Sequence, residues 1–148
     1  MQRKATAQWS GGLKDGRGQL TTDSKALANV PYNFAKRFEN EPGTNPEELV
    51  AAAHAGCYAM ALSGALGKAG KTADSISTIA TVTLETKDGA PTVTAIHLDV
   101  TARVPNMDAT EFQSAAEDTK KNCPISRLLA PGTTITMSAK LEAGAGVR

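Results

Sequence analysis

The feature that most limits how this chain can fold is an uncharged stretch, rich in Ala and Gly, at residues 49–67. Just before it, residues 41–48 (EPGTNPEE) contain a turn, a helix-capping side chain, a proline suited to the first helical position, and carboxylates that suit the positive end of a helix dipole. The pattern therefore predicts a long helix over about residues 46–66. Gly67 or Gly70 would end it in the left-handed closing conformation.

The same stretch approaches the length of a membrane span when His54 is neutral. Ala, Gly and Ser dominate it, however, and it lacks the aromatic and positively charged flanks of a true span. We therefore expect a buried helix in a soluble protein and no membrane association. Because so many positions carry Ala or Gly, another backbone can approach this helix closely.

Elsewhere, alternation of apolar and polar residues predicts strands, and apolar residues that recur about once per helical turn predict helices. Gly and Asp mark the turns between them. The predicted strands are 4–9, 18–22, 32–38, 75–86, 92–104 and 133–141; the further helices are 108–122 and 123–129, and 142–148 form a frayed tail. Strands and helices occur in groups rather than in strict alternation. The fold class predicted is α+β, with antiparallel sheets packed around a long central helix.

The length of 148 residues fits a single domain, 1–148, that is large enough to bury its own core. One small sheet covers only one side of a long helix built from small apolar residues. An intertwined dimer would cover the remaining side, so we expect a homodimer.

Charge and leader signals restrict the location and the partners. Sixteen Lys and Arg oppose fifteen Asp and Glu, and there is no basic stripe, which disfavours nucleic-acid binding. No apolar run follows the positive charges at the N-terminus, so a secretory signal is not predicted and we expect the cytoplasm. In that compartment a persistent structural disulfide is not expected, which leaves free, catalytic or metal-binding roles for the two cysteines.

Cys57 is predicted to lie in the middle of the long helix, about 16 Å from its start at a rise of ~1.5 Å per residue. The helix dipole does not reach that far. Burial among Ala, Met and Leu would raise the pKa of the thiol and leave it inert. A reactive Cys57 therefore needs a cation from elsewhere in the fold, and Arg37 and Arg17 are the candidates outside the helices.

Cys123 has a different local setting. Pro124 suits the first position of a helix, so the sulfur of Cys123 would lie near unpaired N–H groups that favour a thiolate. Local reasoning therefore makes Cys123 the more acidic thiol. The plainer alternative is that both cysteines are ordinary core residues.

Other readings of the titratable residues remain open. His54 precedes Cys57 by one helical turn and suits either a base in a cysteine hydrolase or a hydrogen-bonded packing role. Both cysteines with His54 and His97 would make four zinc ligands, but the tight spacings of zinc sites do not occur. We expect no metal and no cofactor. Glu47 suits the first turn of the long helix by its charge alone.

Four short motifs together resemble the OsmC branch of the OsmC and organic hydroperoxide resistance superfamily. They are RFE at 37–39, GTNPEEL at 43–49, AAHAGC at 52–57 and NCPIS at 122–126. The similarity runs from the strand at Trp9 to the last strand. Its most specific element is the combination of the NPEEL-to-Cys segment with a later Cys-Pro.

The resemblance implies an intertwined homodimer that exchanges N-terminal strands and has two active sites at its interface. It further implies that Cys57 is the peroxidatic thiolate, Cys123 the resolving thiol, Arg37 the cation beside Cys57, and Glu47 the residue that holds this arginine. The other branch of the superfamily takes its arginine from the N-terminal loop, where this chain has Arg17, so Arg17 remains an alternative.

The activity implied by the resemblance is reduction of organic hydroperoxides, and less efficiently of hydrogen peroxide, in stress defence. A dithiol such as a lipoyl group would be the reductant. We expect an apolar groove lined by Phe34, Phe38 and Met60 to receive the organic part of the peroxide. The competing hypotheses are a non-catalytic zinc- or ligand-binding dimer and a cysteine hydrolase.

Overall fold

The computed structural model describes residues 1–143, in which the chain forms two compact units, one up to Leu49 and one from Val50 onward. The predicted tail at 142–148 lies outside the described residues from 144 onward. The strands are β1 (Ala5–Ser10), β2 (Arg17–Thr22), β3 (Val30–Tyr32), β4 (Ser75–Lys87), β5 (Ala90–Arg103) and β6 (Thr134–Glu142); the helices are α1 (Phe34–Phe38), α2 (Pro46–Lys68), α3 (Ala109–Asn122) and α4 (Pro124–Leu129). The α+β class is confirmed.

The N-terminal unit contains an antiparallel sheet in the order β1-β2-β3, which confirms the first predicted hairpin. Gly18 of β2 pairs with Trp9 on one side and with Tyr32 on the other. A Cβ atom at this position would clash with both aromatic rings. The absent side chain therefore lets the two rings approach each other across β2, with their centroids 5.5 Å apart.

The strand predicted over residues 32–38 is wrong beyond Tyr32, because residues 34–38 form the short helix α1. Asn33 caps this helix, and its side chain accepts a hydrogen bond from the backbone N–H of Lys36 at 2.8 Å. Asn45 donates to the carbonyl of the same lysine at 3.1 Å. Side-chain capping at both ends thus favours a helical turn over the alternation that the residues otherwise show.

The C-terminal unit contains a sheet in the order β4-β5-β6. The pair β4 and β5 is antiparallel, as predicted, with an irregularity between Thr83 and Leu84. The pair β5 and β6 is parallel, with Ile96 opposite Ile135, so the expectation of wholly antiparallel sheets is wrong for β6. The physical reason is that α3 and α4 separate the two strands and supply the crossover that a parallel pair needs.

One stripe of α2 forms the core of the C-terminal unit with the inward face of β5 and with Phe112 of α3. From α2 it contains Tyr58, Leu62 and Leu66, which are completely buried. Each such apolar side chain contributes about 1.5–3 kcal/mol when fully buried. The buried hydroxyl of Tyr58 has a hydrogen-bond partner, because it donates to the carbonyl of Ala116 at 3.0 Å. This packing fixes the rotation of α2 and therefore the direction in which its cysteine points.

The opposite face of α2 is exposed. It carries Ala53, Gly56, Met60, Gly64 and Gly67, and the side chain of Met60 is 79% exposed. A Cβ atom added at Gly56 or Gly64 would meet no neighbouring atom within 4 Å. By length and composition α2 is also apolar enough to cross a membrane, a property that core helices of soluble proteins share. The predicted buried helix is thus buried along one face only.

Candidate active site

The two cysteines of the C-terminal unit approach each other closely. The Sγ atom of Cys57 on α2 lies 3.4 Å from the Sγ atom of Cys123, the N-cap residue of α4. Cys57 is half-buried and Cys123 is only 1% exposed, and both are free thiols. A disulfide needs a sulfur separation of about 2.0 Å, so a small movement of either turn would allow the bond to form.

Two backbone amides from the start of α4 donate to these sulfurs. Pro124 has no N–H, and the next two residues supply one donor each. The N–H of Ile125 donates to the sulfur of Cys57, and the N–H of Ser126 donates to the sulfur of Cys123 at 3.5 Å. Sequence reasoning had assigned this helix start to Cys123 alone, whereas the fold divides its donors between both sulfurs.

Burial raises the pKa of the Cys57 thiol, the amide of Ile125 lowers it, and the neighbouring Cys123 raises it again. The net direction is upward. One backbone donor therefore does not compensate for the loss of water around the sulfur. The expectation that Cys57 needs an additional cation to become a thiolate agrees with this environment.

The predicted cation and its partner lie together in the N-terminal unit. Arg37 of α1 donates from Nη2 to Oε1 of Glu47 at 2.8 Å, and from Nε to both carboxylate oxygens at 3.2 Å. These bonds to Glu47 raise the pKa of Arg37. Glu47 accepts from Nε and Nη2 of the guanidinium, and no hydrogen bond from Nη1 forms within residues 1–143. The structure thus contains two predicted residue pairs. Arg37 with Glu47 lies in the N-terminal unit, and Cys57 with Cys123 lies in the C-terminal unit.

The alternative arginine has a different environment. Arg17 is the first residue of β2 and is exposed. In the part of the chain that the structure describes, it forms no ion pair, whereas Arg37 is held by the carboxylate of Glu47. A fixed guanidinium costs less to position beside a reacting group than a mobile one, which favours Arg37.

An aromatic cavity of about 300 Å³ lies beside Arg37 in the N-terminal unit. Its lining comprises Trp9, Leu13, Tyr32, Asn33, Phe34, Arg37 and Phe38. The rings of Phe34 and Phe38 are 4.8 Å apart, and the guanidinium carbon of Arg37 lies 5.2 Å from the centroid of Phe38.

This cavity contains the two phenylalanines that were predicted to line the substrate groove, while Met60 is not part of it. Sequence reasoning missed Trp9, Leu13 and Tyr32. The signal that could have found two of them is the hairpin register, which places Trp9 and Tyr32 on either side of Gly18.

The hydrogen bond of His54 is to Ser126, and within residues 1–143 none joins His54 to Cys57. Its Nε2 atom lies 2.7 Å from the hydroxyl of Ser126, both residues are buried, and burial lowers the pKa of the imidazole. His97, on β5, bonds instead to the hydroxyls of Thr136 and Ser138. Among residues 1–143, no three His, Cys, Asp or Glu side chains lie close enough together to hold a metal ion.

A family model described as OsmC-like protein matches residues 38–138. Peroxiredoxin OsmC of Escherichia coli K12 is 44% identical over 138 residues, which cover 93% of this chain and 96% of that protein, and Peroxiredoxin OsmC of Shigella flexneri matches to the same extent.

Solved structures agree on the fold. The crystal structure of an OsmC-like protein from Mycoplasma pneumoniae superimposes with a TM-score of 0.74 at 18% identity, and covers 95% of this chain and 97% of that one. The organic hydroperoxide resistance protein OhrB of Bacillus subtilis gives a TM-score of 0.69 at 22% identity, with 93% and 98% coverage.

Proposed function

This chain belongs to the OsmC-like family, and from that premise we propose that it is a peroxiredoxin-type enzyme that reduces organic hydroperoxides with Cys57 and Cys123. The observation that carries the proposal is the 3.4 Å separation of the two sulfurs, each of which accepts a backbone N–H from α4. A thiol pair at this distance can pass from sulfenic acid to disulfide without rearrangement of the fold.

In the first step the thiolate of Cys57 attacks the distal oxygen of the hydroperoxide ROOH. The S–O bond forms as the O–O bond breaks, and the leaving oxygen takes up a proton to become the alcohol ROH. Sulfur is oxidised to a sulfenic acid, and the peroxide oxygen is reduced. Arg37 stabilises the thiolate and donates to the charge that develops on the leaving oxygen.

In the second step the thiol of Cys123 attacks the sulfenic sulfur of Cys57. The S–S bond forms, and the hydroxyl leaves with the thiol proton as water, which protects Cys57 from further oxidation. An external dithiol, for which a lipoyl group is suitable, then reduces the disulfide and is itself oxidised to a disulfide. This cycle requires a reducing compartment, and we place the enzyme in the cytoplasm.

Arg37 and Glu47 take part in this cycle if a homodimer brings each pair of cysteines together with an Arg37–Glu47 pair. In such an intertwined dimer the whole chain, 1–148, acts as one OsmC-like domain. The exposed face of α2 around Gly56, Met60 and Gly64 supports this proposal, because exposed apolar helix faces are usually covered by a partner.

We expect light scattering to give a molar mass about twice that of one chain. The variant Gly64→Glu should weaken the dimer, because it places a charge on the exposed face of α2 at a site where the single chain has space for a side chain. Gly132→Glu is the matched control, since a side chain there also meets open space. A wild-type mass of one chain at micromolar concentration would contradict the dimer.

The aromatic cavity is the proposed site for the organic group of the peroxide. Phe34→Ala should lower kcat/KM for cumene hydroperoxide by about tenfold or more, because the substrate loses apolar contact that is worth roughly 1.5–3 kcal/mol. The value for hydrogen peroxide should change little, and Phe34→Leu should restore most of the loss. An equal fall for both peroxides would show that the cavity does not select the substrate.

The direct test of the function is consumption of cumene hydroperoxide with dihydrolipoamide as the reductant. We expect multiple turnovers with this dithiol and loss of free thiols when the reductant is omitted. Absence of peroxide consumption, together with stoichiometric zinc in the purified protein, would favour the non-catalytic alternative. Hydrolysis of acyl esters that survives Cys123→Ser would favour the cysteine hydrolase.

A further inference from the structure

The mechanism proposed above leaves one buried polar pair without a role. Nε2 of His54 lies 2.7 Å from the hydroxyl of Ser126, with exposures of 0% and 1%. The Nδ1 atom of His54 is buried and has no hydrogen-bond partner within the described part of the chain. A buried polar atom without a partner destabilises a fold, so packing alone would favour an apolar residue at this position.

The pair connects the two elements that carry the reacting sulfurs. His54 belongs to α2, three residues before Cys57, and Ser126 belongs to the first turn of α4. The backbone N–H of Ser126 donates to Cys123, and the adjacent N–H of Ile125 donates to Cys57. The bond between imidazole and hydroxyl therefore ties the turn of α2 that carries one sulfur to the amides that contact both.

Helix α4 has only six residues and cannot hold its own geometry through helix propensity. Disulfide formation requires the sulfurs to move from 3.4 Å to about 2.0 Å, which pulls directly on the first turn of α4. The hydrogen bond between His54 and Ser126 limits how far this turn can move away from α2.

We propose that His54 and Ser126 are positioning residues for the two-cysteine reaction. Their hydrogen bond keeps the amide of Ile125 on the Cys57 sulfur and keeps Cys123 within reach of the sulfenic acid. This inference rests on the proposed peroxidase function and adds two residues to it, neither of which touches the substrate.

The first measurement is the thiolate absorbance of Cys57 against pH, in a Cys123→Ser background that leaves Cys57 as the only cysteine. Adding Ser126→Ala should raise the Cys57 pKa, because the donor from Ile125 is less well held. Thr119→Val is the control. Thr119 is buried, and its hydroxyl donates to the carbonyl of Ala115 in the same helix, α3. Removal of this hydroxyl should leave the pKa of Cys57 unchanged.

The second measurement is the rate of disulfide formation in the reduced two-cysteine protein after one equivalent of cumene hydroperoxide. Ser126→Ala should slow it by about tenfold or more, since misplacement of reacting groups by about 1 Å can cost about 10²-fold in rate. His54→Gln should keep most of the rate, because its amide can replace Nε2 as a partner for Ser126.

The double variant His54→Leu with Ser126→Ala separates positioning from stability. Removal of both polar partners should return the melting temperature close to that of wild type, while disulfide formation stays slow. Recovery of the rate along with the melting temperature would overturn the inference, and so would a wild-type rate in Ser126→Ala. Failure of wild type itself to form a sulfenic acid or a disulfide would instead reject the proposed peroxidase.

Discussion

Cys123→Ser is expected to consume about one equivalent of organic hydroperoxide per subunit and then to stop, whereas Cys57→Ser should show no fast consumption. The first variant keeps the peroxidatic thiolate and loses the residue that resolves its sulfenic acid. The second keeps only Cys123, which is 1% exposed and is reached by peroxide far less readily than the half-buried Cys57. The loss of peroxide consumption in Cys57→Ser should therefore exceed the loss caused by every other substitution proposed for this protein.

Rapid mixing of both variants with cumene hydroperoxide, followed by sulfenic-acid labelling and mass mapping, measures this difference. We expect the label on Cys57 in Cys123→Ser and no label in Cys57→Ser. Because backbone amides contact both sulfurs, hydrogen bonding to the thiols does not by itself assign the two roles. A burst in Cys57→Ser with the label on Cys123 would reverse them, and no burst in either variant would reject the peroxidase.

Arg37→Ala is expected to lower kcat/KM for organic hydroperoxides at neutral pH by roughly 10²–10³-fold, the usual effect of removing one donor to a developing oxyanion. Burial raises the pKa of Cys57, and a nearby guanidinium would oppose that shift. Without the cation the thiolate fraction at neutral pH falls. It recovers as the pH rises toward the higher pKa of the variant, so the deficit relative to wild type should shrink in alkaline solution.

The pH dependence of kcat/KM for wild type, Arg37→Ala and Arg17→Ala tests this expectation. Arg17 serves as the matched control because it is an exposed arginine of the same unit and has no ion pair within residues 1–143. Glu47→Gln should give an intermediate loss of kcat/KM. It removes the carboxylate that fixes the position of Arg37, but the chain still has the guanidinium. Near-normal activity in Arg37→Ala together with loss of activity in Arg17→Ala would show that Arg17, and not Arg37, activates Cys57.

The sequence predicted most elements of the fold to within about two residues, because helix signals and strand alternation are local properties. The start of α2 follows from Pro46 and its neighbouring carboxylates, and Asp108 caps α3 as expected. The errors at α1 and β6 have different causes. At α1 the capping of a short helix competes with an alternating pattern, and at β6 the direction of pairing depends on the crossover that precedes it.

Sequence by itself determined which residues can react and which family they resemble, because thiols, a guanidinium and the motifs around them are visible in the order of residues. It also determined that Cys57 lies too far from its own helix start to be activated by it. Tertiary structure alone decided that Cys57 and Cys123 meet, that Ile125 of α4 supplies an amide to Cys57, and that His54 bonds to Ser126. The physical reason is that each of these contacts joins residues more than sixty positions apart, and packing of α2 against the sheet determines which of them touch.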